Sequence, residues 1–278
     1  MLSHVFLRNL LVAIACSMAC ACAGPRDAVH PGRELPGSAL YQYSVIDALI
    51  AGVFDGDLTC GALKRHGDFG IGTFNQLDGE LVLYRGAVYR VRFDGSVHEV
   101  ADDQRVPNAF ATAFAPTQTI ALPDGATLQD LQTTLAQRLR PSGAYAIEVR
   151  GQFATVSARA PEPARPPYPE LAAHLAAHPH TFELTATHGV GLGFLLPPYL
   201  ARVNIPGLHL HYLADDHKAG GHILGFRGAG PLEVRVMELS GVTIELSRRP
   251  ELDQVDLRRD RQHETQQVET GDKRATDK

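Results

Sequence analysis

Tryptophan is absent from this 278-residue chain and cysteine is scarce: Cys16, Cys20 and Cys22 share one N-terminal stretch, and Cys60 stands alone in the body. That distribution supplies no disulfide framework, so a hydrophobic core has to hold the fold. Positive charge is not in surplus. With 26 Lys and Arg against 31 Asp and Glu the formal net charge is −5, which leaves no basic footprint for a phosphate backbone and argues against a nucleic-acid partner. The N-terminal apolar run, residues 10–15, falls far short of the roughly 20 residues a membrane-spanning helix needs. Neither a GxxxxGK[ST] phosphate loop nor a dinucleotide fingerprint following a strand is found, so nothing points to a nucleotide cofactor.

What is there is globular in composition, 44% hydrophobic and 21% charged, in a chain long enough for one large domain or two small ones. Residues 1–23 read as an export signal: Arg8, a short apolar core, then the small residues 17–24. Two outcomes are open, cleavage after Ala23 or a lipid anchor on Cys20 or Cys22; both place the protein in the periplasm or outside the cell. A leader follows over residues 24–40.

Residues 41–165 read as an N-terminal α/β domain. Ser44 suits an N-cap before Ile46, Leu49 and Ile50. Three strands joined by two-residue turns at Arg85-Gly86 and Asp94-Gly95 predict an antiparallel meander. Leu128, Leu131, Leu135 and Leu139 recur at helical spacing. Residues 144–149 and 152–157 read as a strand pair turning at Arg150-Gly151. Five prolines in residues 161–169 mark a stiff linker and a domain boundary near 165. Residues 166–250 read as a C-terminal β-rich domain opened by a helix at 170–177, and residues 251–278 as a polar, solvated tail. The expected fold class is α/β (α+β): two β-rich halves with mixed or antiparallel sheets, and a metal site on the C-terminal half facing the cleft.

The strongest chemistry lies in Gly207-Leu-His-Leu-His211 and Gly220-Gly-His222. In a strand, residues i and i+2 share a face, so His209 and His211 form a ready chelate. The polar loop 214–221 lets the chain return and set His222 opposite them. Three neutral imidazoles leave a coordination position open, the pattern of catalytic rather than structural zinc. Other candidates are weaker. His174 and His178 have i, i+4 spacing without the Glu of HExxH and read as solvated histidines; His180, His188 and His217 carry no spacing argument, although an inward fold of its loop would make His217 a competing ligand. Cys60 reads as a packing thiol.

Four stretches together resemble the alpha-acetolactate decarboxylase family: Tyr41-Gln-Tyr-Ser-Val-Ile-Asp-Ala-Leu49, Gly52-Val-Phe-Asp-Gly-Asp57, His66-Gly-Asp-Phe-Gly-Ile-Gly-Thr-Phe-Asn-Gln-Leu-Asp-Gly-Glu80 and the histidine pattern. The resemblance runs from about Tyr41 to about Glu269 and implies a zinc enzyme, assembled as a homodimer, that converts 2-acetolactate to acetoin and carbon dioxide. It implies zinc ligands His209, His211 and His222, and active-site roles for Thr73, Glu80 and Arg159. It also implies a second glutamate from the tail, Glu269 or, failing that, Glu264. Glu148 and Arg150 depart from the family's pattern, which bears on specificity. The competing reading is an exported metal-binding module, cupin-like or a metal carrier, without decarboxylase activity; it has no need of Arg159 or Glu80.

Overall fold

The computed structural model describes residues 38–270, all within one compact unit, Glu34–Lys278. The export signal, most of the leader and the last eight positions of the tail lie outside the described residues. In chain order the first part comprises β1 (Ala39–Tyr43), α1 (Ile46–Ile50), β2 (Leu58–Thr59), α2 (Cys60–Lys64), β3 (Phe69–Thr73), β4 (Glu80–Tyr84), β5 (Ala87–Val91), β6 (Val97–Glu99), β7 (Arg105–Val106), β8 (Asn108–Thr112), β9 (Gln118–Leu122) and α3 (Leu128–Arg138). The second comprises β10 (Ala144–Arg159), α4 (Leu171–Ala177), β11 (Thr181–Leu196), β12 (Gly207–Ala214), β13 (Gly220–Gly228), β14 (Leu232–Leu239), β15 (Gly241–Glu245) and α5 (Gln262–Thr270).

Mixed and antiparallel sheets with few helices carry the molecule, as expected. One sheet runs β15-β1-β8-β3-β4-β5-β6, antiparallel throughout except where β15 joins β1 in parallel. The other runs β11-β12-β13-β10-β14-β9, and β10 also pairs with β11, so four of its strands close a circuit. The two inner faces meet in a shared core: Leu40, Ile71, Val82 and Phe110 of the first sheet against Leu192 and Phe194 of the second. The meander at β4-β5-β6 and the helix α3 form where the sequence predicts them, the latter opened by a reciprocal Thr127–Asp130 capping box.

Several expectations are corrected. Ser44 is no N-cap; it sits at φ 62° in the turn between β1 and α1, and Val45 takes the capping position without a side-chain bond. Arg150-Gly151 is not a hairpin turn. β10 runs straight through it, pairing with β11 along one edge throughout, while its other edge passes from β14 at residues 144–150 to β13 at 153–159. A mid-strand glycine marks this change of partner rather than a reversal. The sheets do not part at residue 165 either: β9 and β10 build the second sheet, β15 completes the first, and the proline-rich segment packs inward, with Ala164 buried and its N–H bonded to the Gln76 carbonyl at 2.7 Å. The polar tail folds as α5, with Thr265 and Val268 buried.

Backbone approach between β11 and β12 is close. A Cβ on Gly193 would lie 2.0 Å from the carbonyl oxygen of His209. Gly193→Ala is therefore expected to lower stability by about 1–3 kcal/mol or more and to displace His209; a fall in the urea midpoint at unchanged slope, together with weaker metal binding, checks this.

Candidate functional site

Alternation along β12 buries Leu210 and Tyr212 in the core behind the sheet and turns His209 and His211 to the opposite face. Register completes the group: His211 stands opposite His222 on β13, and His222 stands opposite Arg159 at the end of β10. His209 Nε2 lies 3.2 Å from His211 Nε2 and 3.1 Å from His222 Nδ1, and all three rings are buried.

Carbonyl partners fix two of the tautomers. His211 Nδ1 donates to the Leu81 carbonyl at 3.0 Å and His222 Nε2 donates to the Glu269 carbonyl at 3.3 Å, so the other nitrogen of each ring offers a lone pair to the centre. Burial, with Arg159 nearby, pushes all three histidines below their ordinary value, His211 to about 4 and the others well down, so the rings are neutral. A neutral His209 holds one proton, its Nδ1 has no partner, and that proton can satisfy at most one of the two inward lone pairs. A cation satisfies all three nitrogens at once. The donor set therefore fits a metal ion, and imidazoles suit zinc among others.

The first sheet contributes the opposite wall. Thr73 on β3 is the register neighbour of both Glu80 on β4 and Asn108 on β8, and its hydroxyl donates to the Gly79 carbonyl at 2.8 Å. Glu80 Oε2 lies 3.6 Å from His211 Nε2; Glu269, on α5, has Oε2 4.0 Å from His222 Nε2. Between them Arg159 donates to the Val268 carbonyl. Burial raises both carboxyls, Glu80 to about 8 with Glu269 adding to the effect, and Glu269 to about 7, Arg159 opposing in each case. A dication bound at the three histidines would draw both back toward ionisation. These groups line a partly open cavity whose apolar wall includes Leu49, Leu77, Leu175 and Ile205.

The structure thus brings together His209, His211, His222, Thr73, Glu80, Arg159 and Glu269. Glu264 stays out, paired with Arg259. Helical geometry separates the two: they are five residues apart on α5, about 140° around the helix, and so point to different faces. Glu148 pairs with Arg235 at 2.7 Å and Arg150 bridges Tyr84 and Asp215; neither lines the cavity. His174 is buried rather than solvated, with Nε2 on the Glu162 carbonyl, and His217 lies against Tyr89, away from the cluster. Cys60 is buried and its thiol is pushed up to about 11 by burial, as a packing role requires. Asn108, the first residue of β8, also lines the cavity and was not anticipated.

The family model for alpha-acetolactate decarboxylase matches residues 40–259. The chain belongs to this family. Alpha-acetolactate decarboxylase of Methanosarcina mazei is 40% identical over 66% of this chain and 64% of its own length; that of Methylococcus capsulatus is 38% identical over 72% and 76%. The crystal structure of alpha-acetolactate decarboxylase from Bacillus subtilis strain 168 superposes with a TM-score of 0.80 at 29% identity, covering 84% of this chain and all of that one. The family match stops before α5, so within this alpha-acetolactate decarboxylase relative Glu269 stands on geometry, not on the match.

Proposed function

We propose that the chain decarboxylates 2-acetolactate to acetoin and carbon dioxide with zinc held by His209, His211 and His222. The observation that carries this is the convergence, in one cavity of an alpha-acetolactate decarboxylase family member, of three neutral imidazoles, an arginine and two carboxyls raised by burial. Bound there, zinc supplies a Lewis acid for the ketone and hydroxyl oxygens of the substrate.

The remaining work falls to the chain's own side chains. Arg159 offers a fixed planar fork for the substrate carboxylate. Loss of carbon dioxide breaks a carbon–carbon bond and leaves the electron pair on substrate carbon, which must then take a proton. Glu80 and Glu269 flank the histidines on different sides, beside His211 and His222 respectively, so whichever donates delivers to one face and sets the handedness of the product. The apolar wall excludes water from that step. A metal carrier has no use for such an acid pair.

Purified chain given racemic 2-acetolactate is expected to release acetoin and carbon dioxide in equal amounts, with one acetoin enantiomer in excess; no release under these conditions overturns the reading. Glu269→Gln is expected to cost roughly 10²-fold in kcat, while Glu264→Gln changes it less than about twofold, since Glu264 pairs with half-exposed Arg259 away from the cavity. Equal losses in the two variants would contradict the assignment of the tail. Export to the periplasm or cell exterior, as a soluble or lipid-anchored protein, and assembly as a homodimer are part of the same proposal; mass spectrometry of the mature N-terminus and light scattering check them.

A further inference from the structure

A second set of metal-ligating side chains comes together away from the cavity. Glu162 Oε2 lies 3.1 Å from His178 Nδ1 and 2.7 Å from His180 Nε2, and the three ligand atoms all fall within 4.8 Å of one another. Their side chains are 38%, 43% and 35% exposed, in that order, so an ion from solvent reaches them without any opening of the fold.

The group is built by the chain's return around α4. Glu162 precedes that helix, His178 follows its last residue, and His180 is the residue before β11. Backbone and ring contacts hold the ligands where they are. Buried His174 bonds through Nε2 to the Glu162 carbonyl at 2.7 Å, its ring centroid is 4.9 Å from that of His178, the His180 N–H donates to the His178 carbonyl at 2.9 Å, and Phe93 packs 5.0 Å from the His180 ring. Ligands positioned before an ion arrives reduce the ordering cost of binding it.

We propose that Glu162, His178 and His180 form a second divalent-cation site, taking a borderline ion such as zinc, cobalt or nickel. Two imidazoles and one carboxylate match that class of ion, and three protein ligands leave positions for water. Partial exposure makes this site weaker than the buried three-histidine group. Occupancy ties together the two ends of an 18-residue excursion that carries Leu171 and Leu175, and Pro161 adjoins Glu162; all three line the cavity. A cation here therefore stiffens the outer wall of the cavity by closing a loop, a role that does not depend on which reaction the cavity performs.

The test is a zinc titration of the chelator-stripped full chain, following bound equivalents by calorimetry and elemental analysis. The expected result is two equivalents, the second at least tenfold weaker. The double variant His178→Ala/His180→Ala is expected to lose only the weaker equivalent, and His211→Ala only the tighter one. Glu162→Gln, which keeps the side chain's shape, serves as the check should the double variant fail to fold, and is expected to weaken the second equivalent at least tenfold. One equivalent in the unaltered chain, or a second that survives both the double variant and Glu162→Gln, overturns the proposal.

Discussion

Replacing His211 by alanine is expected to abolish tight metal binding at the three-histidine group and to lower turnover of 2-acetolactate at least about 10³-fold, since a Lewis acid is worth several kcal/mol of transition-state stabilisation. His211 is the most constrained of the three. It is 1% exposed, its Nδ1 is anchored on the Leu81 carbonyl of the opposite sheet, and it stands in register with His222. Alanine removes one inward nitrogen and leaves the Leu81 carbonyl unpaired in a buried place, at a cost of about 1–3 kcal/mol. Elemental analysis with a circular-dichroism melt separates the two effects: a folded variant with one metal fewer and no turnover is the expected outcome, and a folded variant that keeps both metal and turnover contradicts the ligand assignment.

The second large effect is expected at Glu80. Glu80→Gln keeps the volume and polarity of a buried side chain that burial already pushes toward its neutral form, so fold and metal content are expected to stay as they are. Turnover is expected to fall by roughly 10²- to 10⁴-fold, the range for loss of a positioned proton donor. The fall belongs in kcat more than in KM, because the proton moves in the chemical step. A variant with full metal and unaltered kcat would leave Glu80 as a wall residue and shift the proton transfer to Glu269.

How far the site is legible in the sequence depends on how local each residue's signal is. His209, His211 and His222 are readable because a strand's two-residue period and a short polar loop fix their relation without knowledge of the rest of the fold. Glu80 and Thr73 owe their meeting to register across the connection 74–79, which family resemblance supplies and residue pattern alone does not. Arg159 is harder: it sits at the end of a strand whose continuity is hidden by Gly151, because glycine signals a reversal and a mid-strand change of partner equally well. Glu269 is hardest. Over Gln262–Thr270 the single apolar residue is Val268, too little for any helical periodicity to show, so the segment reads as a solvated tail although tertiary packing folds it onto the cavity. The proline-rich segment misleads for a similar reason, its stiffness suiting a buried connection as well as a linker.

The measurement that bears most directly on the central claim is acetoin release from racemic 2-acetolactate by the purified chain in three states: as isolated, after removal of metal by chelator, and after zinc is restored. Release that vanishes on stripping and returns with zinc is what the three-histidine account predicts. Release that persists in the stripped protein, or no release despite a stoichiometric metal at His209, His211 and His222, would contradict it.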